Sequence, residues 1–174
     1  MPEPLSRREA LAAGIAGAVA LGLVPAATAA AEPDPGAALT ALVRAEQDAA
    51  FVYLGAGLGA LGGRLAGQEQ EHAKALATQL EALGLPEPEP VRGYPSPSTL
   101  GEEALAVLEA DGDAARWEAA IAFERALMGG CADRLSQLDE PGILRTVATV
   151  MASHAQHLAL LERAAGRDPL SSAA

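Results

Sequence analysis

The three histidines of this chain all fall in two short motifs, Gln68-Glu69-Gln70-Glu71-His72 and Ser153-His154-Ala155-Gln156-His157. Glu69 and His72 are three residues apart, as are His154 and His157. On a helix that spacing puts both side chains on one face, within reach of a single ion. Two such pairs, in a chain that otherwise reads as Ala/Leu-rich helix, point to a metal site inside a helical bundle.

The elements that must position these residues follow from the remaining pattern. Residues 32–36 read as a short linker. Helix A is predicted from about Ala37 to about Leu58, and helix B from about Gly63 to Leu83, with Gly84 as its C-cap. The Gly-rich stretch between them leaves the turn unplaced. From Leu85 to Pro97 the chain carries Pro86, Pro88, Pro90, Pro95 and Pro97, which forbid helix and favour an extended path long enough to run back along a bundle. A short helix is predicted from about Leu100 to Ala110. Asp113 is read as the N-cap of helix C, about Ala114 to Leu138, and Pro141 and Gly142 turn the chain into helix D, about Ile143 to Ala165. The predicted fold is all-α, with two helical hairpins joined by a long Pro-rich crossover, a domain over 37–168 and a disordered tail over 169–174.

Each helix carries an apolar stripe at three- and four-residue steps, and each stripe is interrupted by an ionisable residue. Helix A reads Leu39, Val43, Glu46, Ala50, Tyr53, Gly57, and helix B reads Leu65, Glu69, His72, Leu76, Leu80, Leu83. Helix C reads Trp117, Ile121, Glu124, Met128, Cys131, Leu135, and helix D reads Val147, Met151, His154, His157 or Leu158, Leu161. A buried carboxylate without a partner is expensive and tends to be neutralised. Three carboxylates and three imidazoles converging from four helices make sense if cations lie between them. Glu46 and Glu69/His72 stand at similar distances from the A–B turn, and Glu124 and His154/His157 from the C–D turn, so all six can meet near the bundle middle.

This ordered set resembles the ferritin-like superfamily over roughly residues 38–165. The family pattern is one Glu on the first helix, Glu-x-x-His on the second, one Glu on the third and Glu-x-x-His on the fourth. Glu46, Glu69 with His72, and Glu124 fill the first three elements, and His157 fills the second half of the last. His154 stands where the family has a bridging Glu. The resemblance implies a ferritin-like four-helix bundle binding one or two transition-metal ions, iron foremost and Mn or Zn as alternatives, with oxygen- or peroxide-dependent iron oxidation if two irons bind. The exchange of Glu for His removes a negative charge and shifts preference toward Zn, Cu or Ni, or toward one metal. In a degenerate bundle no metal would bind.

Other readings stand beside these. Glu46, Glu69 and Glu124 are ordinary solvated glutamates if the stripes are rotated by one position. Glu71 and Glu118 are read as solvated, although Glu118 competes with Glu124 for the inward place. Tyr53, two turns from Glu46 on the same face, is either a packed core tyrosine, a hydrogen-bond partner of a ligand or a redox group. Cys131 is read as a small core residue before a thiolate ligand. Trp117 and Met128 are read as core.

Composition bounds the rest. Aromatic residues make up only 3% of the chain, so the core is thin in large side chains and a metal could add usefully to stability. The net charge of −11 argues against nucleic acid and anionic membrane faces. A lone cysteine excludes an intramolecular disulfide. Ser6-Arg7-Arg8-Glu9-Ala10-Leu11, the uncharged run from Leu11 to Val24 and the small residues from Ala27 to Ala31 resemble a twin-arginine export signal over 1–31. An ordinary secretory signal or an uncleaved anchor are the alternatives. Two functions result: an exported metal-binding bundle with oxidase- or ferroxidase-like chemistry, or a metal-free bundle with a structural, stress or binding role in the envelope. A monomer or small oligomer is expected for either.

Overall fold

The computed structural model describes residues 34–89 and 101–168. The expected export signal, most of the expected crossover and the expected tail lie outside the described residues. Within them the protein is all-α: α1 (Pro35–Gly55), α2 (Gly59–Ala82), α3 (Glu102–Glu109), α4 (Asp113–Leu135) and α5 (Pro141–Ala164). None of these helices is long and apolar enough to cross a membrane.

Local chemistry sets the helix ends, and several differ from the sequence expectation. Helix α1 begins inside the expected linker, because the Asp34 carboxylate accepts a hydrogen bond from the Ala37 amide at 2.9 Å and Pro35 takes the first helical position. The same device starts α5. Glu140 accepts from the Ile143 amide at 2.9 Å, so Pro141 and Gly142 belong to the helix and not to the turn before it. Asp113 is the first residue of α4; Gly112 precedes it as the cap, at a φ of 82°. The α1–α2 turn is short, Ala56 to Leu58, with Gly57 at a φ of 66°. Helix α2 thus takes in Gly59, Gly62 and Gly63, and a Cβ on Gly62 would stand 2.7 Å from the Tyr53 carbonyl oxygen. The missing side chain lets the two helices approach at the level of Tyr53. Gly84 ends α2 as expected: its amide bonds to the Glu81 carbonyl and the Leu85 amide to the Leu80 carbonyl, the paired closure that a left-handed residue permits.

Helices α1 and α2 pack as one hairpin and α4 and α5 as another, while α2 also meets α5 and α1 meets α4. The four long helices thus share one interior, and α3 lies against α4 and α1. That interior has three levels. One apolar cluster contains Val52, Tyr53, Leu65, Ile121, Phe123 and Leu161, covered by Ala104 and Val107 of α3. The other contains Leu39, Val43, Leu76, Leu80, Cys131 and Val147. Along α1, α2 and α5 the Glu or His residues fall between the stretches that build these two clusters, and on α4 Glu124 stands beside Phe123 of the first cluster, two turns before Cys131 of the second. Each buried Leu, Val or Ile stabilises the fold by about 1.5–3 kcal/mol relative to an exposed one. The apolar levels therefore fix helix register and hold the polar level in place.

The expected stripes are close but not identical to the buried faces. Phe123 and Leu127 are buried on α4, whereas Trp117 and Met128 are only half-buried. The α4 face is turned so that adjacent Phe123 and Glu124 both point inward. Leu83 and Gly57, at the ends of their stripes, are exposed, because the helices have ended there.

Candidate metal centre

Between the two apolar clusters, α1 supplies Glu46, α2 supplies Glu69 and His72, α4 supplies Glu124, and α5 supplies His154 and His157. All but His72 are at most 1% exposed. The structure brings together the same six residues that the sequence singles out. They form two overlapping groups, Glu46–Glu69–His72–His154 and Glu69–Glu124–His154–His157, in each of which one ligand atom per residue lies within 4.8 Å of every other. Either group offers the N/O donor set of a transition-metal site.

The contacts differ between the groups. In the first, His72 Nδ1 lies 2.8 Å from Glu69 Oε2 and 3.3 Å from Glu46 Oε2, both in hydrogen-bond geometry. In the second, the Tyr53 hydroxyl donates to Glu124 Oε1 at 2.6 Å. His157 Nδ1 lies 3.0 Å from Glu69 Oε1 and 3.3 Å from Glu124 Oε1. Neither approach has hydrogen-bond alignment, so His157 Nδ1 and Glu69 Oε1 are buried polar atoms with no hydrogen-bond partner among the described residues. Such orphaned atoms are costly in a protein interior. Two of them facing one another across a ligand group fit a cation between them. On its far side His157 Nε2 lies 3.4 Å from Ser153 Oγ, the kind of outer contact that orients a ligating imidazole.

His154 belongs to both groups. Its Nε2 lies 3.1 Å from Glu46 Oε1, and its Nδ1 lies 2.9 Å from Glu124 Oε2 and 3.8 Å from Glu69 Oε1. Glu69 spans the groups in the same way, with Oε2 toward His72 and Oε1 toward His157.

The electrostatics follow from this crowding. Burial pushes the Glu46 carboxyl up, but hydrogen bonds from His154 and His72 outweigh it and hold the pKa at about 2. Burial opposes charge on His72, yet Glu46 and Glu69 raise its pKa to about 9. For His154 burial is likewise overcome, by Glu124 and Glu46, and the pKa rises to about 11. Glu124 and Glu69 push His157 upward against burial. Burial and Glu124 hold Tyr53 well above the usual phenol range, so it keeps its proton and donates a hydrogen bond to Glu124. Without a cation from outside, protonated imidazoles take that role.

The remaining candidates sort cleanly. Glu71 is exposed and pairs with Lys74 at 2.6 Å, and Glu118 is exposed and pairs with Arg167. Neither enters the centre. Cys131 lies in the second apolar cluster, outside both ligand groups, and burial pushes its thiol up to about 12. Sequence reasoning missed Glu162, 2% exposed on α5, whose Oε1 accepts from Arg125 Nη2 of α4 at 2.9 Å. Its position four residues after Leu158 on the inward face was the signal available.

No protein-family model matches the chain, and neither a curated protein nor a solved structure does. What the centre does has to come from its own chemistry.

Proposed function

We propose that the protein is an exported ferritin-like four-helix bundle whose interior level binds two transition-metal ions, one in each ligand group. The observation that carries this reading is the pair of overlapping four-residue groups, drawn from four helices, with all ligand atoms of each group within 4.8 Å. Three buried carboxylates cost several kcal/mol each to desolvate, in round numbers, unless cations compensate them. The orphaned Glu69 Oε1 and His157 Nδ1 support the same reading. Glu46 and His72 would hold the first ion and Glu124 and His157 the second, with Glu69 and His154 between them. Tyr53 fixes the orientation of Glu124 through its hydrogen bond.

The order of the ligands along the chain is that of the ferritin-like pattern, which favours iron, with Mn or Zn as alternatives. Two bound irons would supply oxygen- or peroxide-dependent redox chemistry, and the protein's part is to bind and orient the ions and to exclude bulk water. Export by the twin-arginine route fits such a protein, because that route carries chains already folded and loaded.

A second reading is a metal-free bundle with a role in the envelope. It is favoured by the hydrogen-bond contacts of His72 and His154 with Glu46, Glu69 and Glu124, through which protonated imidazoles can offset the carboxylates. Metal analysis of protein purified without chelator separates the two. The metal reading expects stoichiometric metal, or uptake on adding Fe, Mn or Zn. A chain that carries none and takes up none is the metal-free bundle.

A further inference from the structure

We infer that His154 is a bridging ligand, one ring nitrogen to each of two metal ions. This inference rests on the proposal that the centre binds metal, and it concerns how the two sites are joined. His154 Nε2 stands beside Glu46 of the first group, whereas Nδ1 stands beside Glu124 and Glu69 of the second. Its ring is edge-on to both other imidazoles, at 70° to His72 and 89° to His157. The two nitrogens therefore face opposite groups, and His154 is a member of both.

Charge gives the second leg of the argument. The interior level holds three carboxylates, Glu46, Glu69 and Glu124, and no other acidic side chain belongs to either ligand group. Two divalent ions bring four positive charges, one more than these glutamates offset. A neutral imidazole can bind one metal through one nitrogen. To bind a second it loses the proton on the other nitrogen to solvent and becomes an anion. The imidazolate supplies the fourth negative charge and leaves the buried cluster neutral, where a residual charge would be costly. On the ferritin-like pattern a Glu stands at position 154. A bridging imidazolate returns both things that carboxylate would contribute, a negative charge and two donor atoms. A merely terminal histidine returns neither.

Copper(II) is the probe, since imidazole-rich sites favour it and its unpaired electron reports on a partner ion. The full chain is loaded with Cu(II), its stoichiometry is read by native mass spectrometry, and its spins are counted by electron paramagnetic resonance. The expected result is two coppers per chain with a spin count well below two, because a bridging imidazolate couples them. Loading with one Cu(II) and one Zn(II) restores an isolated copper signal. Glu69 could also transmit coupling, so the decisive variant is His154→Gln, which leaves that carboxylate in place. It is expected to hold one ion, or two with the full spin count. His154→Glu, a second variant in case the first misfolds, restores the two-ion stoichiometry. Two uncoupled coppers in the wild type, a single ion, or coupling unchanged in His154→Gln would each overturn the bridge and leave metal binding standing. A wild-type chain that takes up no Cu, Zn or Fe removes both proposals together.

Discussion

The two halves of the centre share Glu69 and His154, yet their surroundings differ. Around Glu46 and His72 the contacts with Glu69 and His154 have hydrogen-bond geometry, and the His72 side chain keeps 14% of its surface in solvent. Around Glu124 and His157 the burial is complete, a tyrosine donates to the carboxylate, and two ligand atoms face each other without a hydrogen bond. The first half can satisfy itself by taking up protons. The second still leaves Glu69 Oε1 and His157 Nδ1 facing each other without a hydrogen bond, and a cation is their natural complement. One helix level thus combines a half that can open to solvent with a half sealed from it.

Removing a shared residue should erase the difference. Glu69→Ala takes an oxygen from both groups and leaves His72 and His157 without their 2.8 Å and 3.0 Å neighbour. Both ions are expected to be lost. The metal-free protein should also lose about 3–5 kcal/mol, the usual cost of removing one partner from a buried ion pair. Metal analysis and urea unfolding with and without chelator measure the two effects. Retention of a full complement of metal would show that Glu69 is not shared.

Proton uptake, where metal is withheld, should separate the halves in order. The histidine pKa values are raised on folding, so their contribution to stability is complete below the ordinary 6.5 and is lost as pH rises through about 9 for His72 and about 11 for His154. The Glu46 value is depressed, so its contribution is present above 4.5 and is lost as pH falls through about 2. In the presence of chelator, stability is expected to fall from about pH 7 upward, with the solvent-facing half failing first. Urea midpoints across that range test this, and a flat or rising profile would contradict it.

Single-half variants sharpen the contrast further. His72→Ala removes a ligand from the first group only and should halve the bound metal, with the remaining ion resistant to chelator. Tyr53→Phe removes the donor to Glu124 and touches only the second group. Loss of such an outer partner typically weakens metal binding about 10- to 100-fold. Titration against a chromogenic chelator should show one weakened site and one unchanged. Weakening of both would mean that Tyr53 acts through the packing of the whole level.

Much of this centre was legible in the chain, for a physical reason. A charged residue in an apolar stripe is an anomaly, and Glu46, Glu69, Glu124 and His154 are such anomalies at matching distances from their turns. The all-helical character followed from Ala-rich, periodic text. What escaped were features set by rotation and by partners from distant helices. The turn of α4 that buries Phe123 in place of Trp117 depends on how α3 and α5 pack on it, which no single stripe encodes. The Arg125–Glu162 pair spans two helices. The helix starts at Pro35 and Pro141 were misplaced because proline reads first as a breaker, and its fitness for the first helical position shows only with the cap beside it. The split of His154 between two groups depends on partners from α1 and α4, which its own helix does not encode.

Glu71 should give the smallest effect, and it separates nearness in sequence from nearness in space. It lies between Glu69 and His72 and carries the same functional group. Its side chain is nevertheless 71% exposed, and its partner is Lys74, itself 68% exposed. A pair of that kind contributes about 0–1 kcal/mol, because water screens it and two long side chains must be held to make it. Glu71→Ala is expected to leave metal content unchanged and to shift the urea midpoint barely, whereas Glu69→Ala, two positions earlier, empties the centre. The helix is what makes the difference. Two residues along α2 is roughly half a turn, enough to carry a carboxylate from the sealed interior to open solvent. A loss of metal in Glu71→Ala comparable to that in Glu69→Ala would mean that α2 is rotated from the position described here, and the assignment of all six ligands would fall with it.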